Sequence, residues 1–255
     1  MKVFSLHRES VHVGNLILVN AQLPIHKIAE KRPQVSVTSL EPRVLYNQEA
    51  VERLSVLMTK LDGWRFITPV SGWRSIQEQQ DLYAQSLRNN GAEFTQKFVA
   101  LPGHSEHQTG LAIDLGMSKP DIDIIRPDFP YTGICQEFRR RAPAFGFVER
   151  YPMGKESITG IAQEPWHFRN VGVPHAEIMQ SKGMTLEEYH AFVKEFPLGG
   201  KPLVWRAGRL AYSVFYVAAE NGVTTRFALD TDGPCMVSGD NEAGFISAMW
   251  WKMGA

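Results

Sequence analysis

The segment GHSEHQTGLAIDLG (103–116) constrains the fold more than any other. Its LAIDL run (111–115) has strand character, yet it carries a carboxylate inside an apolar stretch. Alternate residues of a strand share a face, so Leu111, Ile113 and Leu115 turn into a core while Ala112 and Asp114 turn away from it. A carboxylate fixed on a strand beside a small residue leaves room for an ion. His107 precedes Asp114 by seven residues, with glycine between them. A second stretch, QEPWHFRNVG (163–172), is also strand-like, with Trp166 and Phe168 on one side and His167 and Arg169 on the other.

His107, Asp114 and His167 together make a three-ligand set. Such a set suits one catalytic Zn2+ per chain, because the fourth tetrahedral position stays open for water, whereas structural zinc closes its shell, normally with cysteines. Cys135 and Cys235 lie far apart and fit neither a metal spacing nor a disulfide framework. They read as buried or free thiols of a reducing compartment. Hydrolysis also needs a base, and Glu164 lies three residues before His167. Positions three apart on a regular strand face opposite ways, but Pro165 fixes its own φ and removes a ladder donor. The resulting kink swings Glu164 to the ligand side. The helical HExxH pattern is absent, which excludes that class of metallopeptidase.

SGWRSIQEQQ (71–80) places Arg74 at a strand end, just before the helix cap Ser75, with Gln79 on the first turns of the helix. A guanidinium there can clamp a carboxylate or stabilise a developing oxyanion. Five of the other histidines have plainer readings: His7, His12 and His26 lie in an irregular arm, His175 at a helix start, and His190 on a helix surface.

SEHQTGLAID fits the SxHxxGxAxD pattern, and EPWH the ExxH pattern, of the zinc D-Ala-D-Ala metallopeptidases. SGWRSIQEQ resembles that family's aromatic-Arg-Ser element with its downstream glutamine. RYPMGKESITGIAQEPWHFRNVGVPHAEIM is similar to the vancomycin-resistance branch of bifunctional D,D-dipeptidase/D,D-carboxypeptidases, of the VanXY-G type with its C-terminal extension. The resemblance implies zinc on His107, Asp114 and His167, with Glu164 as general base and acid. It implies Arg74 as transition-state stabiliser, and Ser105 and Gln79 as substrate holders. The substrate would be a small peptide, D-Ala-D-Ala or a muramyl pentapeptide precursor. Trp73 and Asn170 stand where the family more often has tyrosine, a departure that bears on pocket shape. Three other readings share these residues. An L,D-carboxypeptidase of the same metallofold differs only in its pocket walls. A non-heme Fe(II) oxygenase also uses two histidines and a carboxylate, but would leave Glu164 idle. A non-catalytic peptidoglycan-binding module would have no need of Glu164.

The pattern of elements predicts an α+β fold, a small antiparallel central sheet flanked by helices, with a C-terminal β extension. Helices are expected over 47–61, capped by Asn47, from the Ser75/Glu78 capping box, and from the Thr185/Glu188 capping box. Strands are expected within 65–73 and 112–116, and a strand pair or a strand plus an irregular arm within 11–25, followed by a loop over 26–43. After LGGK, five short apolar runs separated by turn residues predict a small antiparallel sheet. The expected division is a catalytic domain over 1–197 and an extension over 198–255 that packs as an appendage.

With 27 Lys+Arg against 27 Asp+Glu, the 255-residue chain lacks the broad basic field that nucleic acid or anionic membranes attract. Stretches such as GNLILVNAQLPI fall short of the roughly 20 apolar residues of a membrane span. Lys2, Arg8 and Glu9 interrupt any signal-peptide core, so the expected location is cytoplasmic.

Overall fold

The computed structural model describes residues 1–26, 34–39 and 41–254. In the first half these form β1 (Lys2–His7), β2 (Gln34–Ser36), β3 (Leu45–Asn47), α1 (Gln48–Leu61), β4 (Ile67–Ser71), α2 (Ile76–Phe98) and β5 (Ala112–Met117). Then follow α3 (Gly133–Arg141), β6 (Phe147–Tyr151), α4 (Glu156–Thr159), β7 (Glu164–Asn170), α5 (His175–Lys182) and α6 (Leu186–Val193). The last five strands are β8 (Leu203–Ala207), β9 (Leu210–Ala218), β10 (Thr224–Leu229), β11 (Cys235–Gly239) and β12 (Gly244–Lys252). Mixed helix and antiparallel sheet is the α+β arrangement expected. The chain divides into one compact unit over Val19–Thr185 and another made of Met1–Leu18 with Leu186–Ala255.

The Val19–Thr185 unit is built on the antiparallel sheet β4-β5-β7-β6. The side chains turned inward by strand alternation, Ile113 and Leu115 of β5 and Trp166 and Phe168 of β7, share a core with Leu54, Leu57 and Met58 of α1 and Phe138 of α3. Asn47 accepts from the Ala50 backbone at the start of α1, and Ser75 and Glu78 form a reciprocal capping box at the start of α2. That box satisfies two of the backbone donors a helix start leaves open. α2 runs past the expected segment to Phe98, with a break at Gly91, whose φ of 80° is non-helical. The two thiols are unpaired, and Cys135 is buried.

The other unit holds the antiparallel sheet β11-β12-β9-β8 and a separate β1-β10 ladder. The run 224–229, expected in one sheet with its neighbours, pairs instead with Lys2–His7 at the N-terminus, where Phe4 stacks on Phe227 with centroids 5.2 Å apart. No strand forms within 11–25, although Leu16, Ile17, Leu18 and Val19 are buried. Those residues are anchored by single bonds instead, such as Leu18 N to the Asp240 carbonyl. The expected loop over 26–43 lies partly outside the described residues, and Gln34–Ser36 within it forms a short strand. His190 is buried rather than on the surface, its Nε2 2.7 Å from the Leu16 carbonyl.

This unit thus takes in Met1–Leu18 and Leu186–Ala255, whereas the expected extension covers 198–255 alone. A chain ended after Leu198 would leave β1 without its β10 ladder and uncover Leu186, Tyr189 and Val193 of α6, all fully buried. Exposed apolar surface of that kind drives association. We expect aggregation of the truncated chain by light scattering; a monodisperse, cooperatively folding product would contradict this.

Candidate metal and peptidase site

β5 and β7 place two of the predicted residues opposite each other, Asp114 being the cross-strand partner of His167. His107 comes from the turn Glu106–Thr109, which ends at Gly110 with a φ of 70°. A side chain at Gly110 would be strained by that angle, and its Cβ would come within 2.2 Å of the Gln34 amide. The turn then enters β5 with His107 beside Asp114. The His107 Nδ1 sits 2.6 Å from the Gly72 carbonyl and must donate to it, which leaves the Nε2 lone pair facing Asp114 Oδ2 at 3.2 Å. The His167 Nδ1 lies 3.1 Å from Asp114 Oδ1 and 3.4 Å from Glu164 Oε2. The two imidazole rings stand edge to face at 87°, with centroids 4.9 Å apart.

One donor atom from each of His107, Asp114 and His167 lies within 4.8 Å of the other two, and all three residues are buried. Asp114 Oδ1 has no hydrogen-bond partner among the described residues, despite its closeness to His167. A buried carboxylate oxygen and an imidazole nitrogen turned on one point without a proper hydrogen bond are costly unless a cation completes them. This donor set, two imidazoles and a carboxylate, fits a divalent ion of the zinc type.

Glu164 reaches this side because β7 is not regular. The β6-β7 register passes from Glu149↔Phe168 directly to Tyr151↔Glu164, so four residues of β7 span what two residues of β6 span. The bend expected at Pro165 is therefore a bulge, and it brings Glu164 and His167 to the same face. Burial pushes the Glu164 carboxyl up to about 8, with Asp114 adding to the effect and His167 and Arg74 opposing it. Burial also works against the charged form of His167, but Asp114 and Glu106 outweigh it and raise the imidazole to about 9. At Asp114, burial is overcome by His107 and His167, which hold the carboxyl well below its ordinary range.

Arg74 lies 3.8 Å from Asp114 Oδ2, braced by bonds of 2.7 Å to Gln79 Oε1 and 2.9 Å to Ser71 Oγ. Gln79 is wholly buried, and its amide nitrogen donates to the Ala100 carbonyl. Both ends of that amide are thus engaged. Arg74, Gln79, Ser105 and Glu164 line one cleft with the three candidate ligands, holding about 490 Å³ of empty space, part of it open to solvent. Every predicted site residue is therefore brought together in the Val19–Thr185 unit. Trp73 and Asn170 are not among the residues that line the cleft.

Behind the site lies a buried charge cluster outside the predicted residues. Glu106, next to His107, is fully buried, accepts from Arg150 Nε at 2.8 Å and lies 3.4 Å from Arg169 Nη1. Its other oxygen is 3.7 Å from His167 Nε2, on the side of the ring away from Asp114. Ligating histidines commonly turn their second nitrogen to a carboxylate, which fixes tautomer and ring orientation. Arginines inside the apolar strands FVERY and EPWHFRN were the available signal, since a strand arginine that faces inward needs a buried anion.

This fold and site define a family: the chain belongs to the D-alanyl-D-alanine carboxypeptidases of the VanY family, whose model matches residues 44–173. Among solved structures, the vancomycin-resistance D,D-dipeptidase VanXYg in complex with a D-Ala-D-Ala phosphinate analogue is 44% identical, with a TM-score of 0.94, covering 98% of this chain and 99% of that one. The bifunctional D-Ala-D-Ala dipeptidase and carboxypeptidase VanXYC of Enterococcus gallinarum is 39% identical over 72% of this chain and 97% of its own length. A VanY D,D-pentapeptidase variant from a VanB-type resistance cassette, in complex with Zn(II), is 29% identical with a TM-score of 0.56, over 69% of this chain and 98% of its own. The chain is a D-Ala-D-Ala peptidase of this metallopeptidase group. Among the described residues, no helix is long and apolar enough to cross a membrane.

Proposed function

We propose that the chain is a zinc D,D-peptidase, one ion per chain, that hydrolyses D-Ala-D-Ala and removes the C-terminal D-Ala from pentapeptide precursors of peptidoglycan, in glycopeptide resistance or precursor remodelling. The observation that carries this reading is the meeting of Asp114, His167 and Glu164 on one face across a bulged strand. His107, Asp114 and His167 would hold the ion, which when bound supplies Lewis acidity toward water and the scissile carbonyl.

The remaining steps belong to side chains. Glu164 takes a proton from the attacking water and returns it to the leaving D-Ala amine. Burial favours its protonated form, so the proton taken from water can be held at Glu164 until the amine leaves. Arg74, held rigid by Gln79 and Ser71, steadies the negative charge that develops on the carbonyl oxygen. Gln79 has its amide engaged and acts through Arg74, which leaves Ser105 as the polar group offered to the peptide. Attack by water needs no covalent intermediate. The Val19–Thr185 unit carries this chemistry, and the strands after residue 198 carry none of it. The unpaired Cys135 and Cys235 support a cytoplasmic site of action, which cell fractionation checks.

Chelation is expected to abolish D-Ala release from both D-Ala-D-Ala and a pentapeptide, and stoichiometric zinc to restore it. Full turnover after verified metal removal would exclude the metal assignment. Cleavage confined to L,D bonds would exclude the substrate class while leaving the metal site intact.

A further inference from the structure

We propose that Arg139 is a positioning residue for Glu164, acting through the carbonyl of Pro165. This rests on the reading of Glu164 as the base. Because Glu164 and His167 are three apart, they share a face only while β7 keeps its bulge, and Pro165 lies inside that bulge. Arg139 Nη2 donates to the Pro165 carbonyl at 2.8 Å and to the Phe129 carbonyl at 3.0 Å. Its Nε pairs with Glu149 at 2.6 Å, the β6 residue at the edge of the bulge, and its Nη1 donates to the Pro130 carbonyl at 3.1 Å. The guanidinium also lies against the Tyr131 ring, 3.9 Å from its centroid.

One planar group thus ties both strands that flank the bulge to the segment before α3. An arginine fork presents donors in several fixed directions at once, whereas a lysine ammonium on a flexible stem does not. With that fork gone, nothing of equal rigidity holds the Pro165 carbonyl, and the strand can relax toward regular pairing, which turns Glu164 away from His167. The ligands have supports of their own: His107 is fixed by Gly72, Asp114 sits on β5, and His167, although inside the bulge, keeps its cross-strand pairing with Asp114. Arg139 should therefore govern turnover more than metal affinity.

The test compares Arg139→Met, Arg139→Lys and Glu164→Ala with the parent. It reads kcat and KM on D-Ala-D-Ala, zinc affinity by chelator competition, and backbone hydrogen exchange over residues 163–168. A misplaced reacting group costs up to about 100-fold in rate. Arg139→Met is expected to lower kcat about 10- to 100-fold, with KM and zinc affinity within about twofold of the parent. Exchange over 163–168 should quicken by about tenfold, and Arg139→Lys should fall between the two. A folded Arg139→Met protein with parental kcat would overturn the proposal, as would parallel loss of turnover and zinc affinity. Should Arg139→Met fail to fold, Arg139→Lys decides: lowered kcat with intact zinc affinity supports the proposal, and parental kcat sinks it. Parental turnover in Glu164→Ala would instead remove the base reading, whereas an inactive Glu164→Ala beside fully active Arg139 variants removes the positioning role alone.

Discussion

Replacing Glu164 by alanine is expected to lower turnover on D-Ala-D-Ala by about 10²- to 10⁴-fold, the usual contribution of a positioned acid-base group. Glu164 is buried, faces His167 Nδ1 at 3.4 Å, and has a carboxyl raised by burial to about 8. Among the described residues, neither of the two other carboxylates lining the cleft can take its place. Asp114 is held far below its ordinary range by the two histidines, and Glu106 is tied to Arg150 and Arg169 on the far side of the His167 ring. The variant should bind zinc with affinity close to the parent, since His107, Asp114 and His167 remain. Steady-state kinetics with metal analysis checks both halves. A variant that lost its zinc but kept most of its activity per bound ion would make Glu164 a ligand instead of a base.

The second large effect is on stability. Arg150→Met is expected to destabilise the fold by about 3–5 kcal/mol, because it strips the nearest partner from a carboxylate with no solvent contact. Arg150 and Glu106 are both fully buried, and the 3.4 Å approach of Arg169 to the same Glu106 oxygen replaces only part of the lost pairing. Adding Glu106→Met to Arg150→Met should not restore the parental midpoint, because it takes the same anion from the fully buried Arg169. Chemical denaturation of the three proteins measures this. Equal midpoints for Arg150→Met and the parent would show that Arg169 suffices to balance Glu106.

Much of the site was legible because its residues obey local rules. Strand alternation in LAIDL and PWHFRN separated the core-facing Ile113, Trp166 and Phe168 from Asp114 and His167. The capping box at Ser75 located α2, and with it Arg74 and Gln79. What depended on distant residues was not legible. The β1-β10 ladder joins segments more than 200 residues apart, and no local periodicity records which strand a strand will choose. A helix position alone places His190 at the surface, but it is buried, with its Nε2 2.7 Å from the Leu16 carbonyl.

The sequence by itself determined which residues could ligate a metal and which carboxylate could serve as a base, since those follow from side-chain chemistry and from the two-residue period of a strand. Only the tertiary structure decided that Glu164 and His167 face the same point, because that depends on a bulge opposite β6. It also decided that Glu106 could be buried at all. The energy of burying a charge is settled by what stands next to it, and Arg150 and Arg169 reach Glu106 from strands 44 and 63 positions further along the chain.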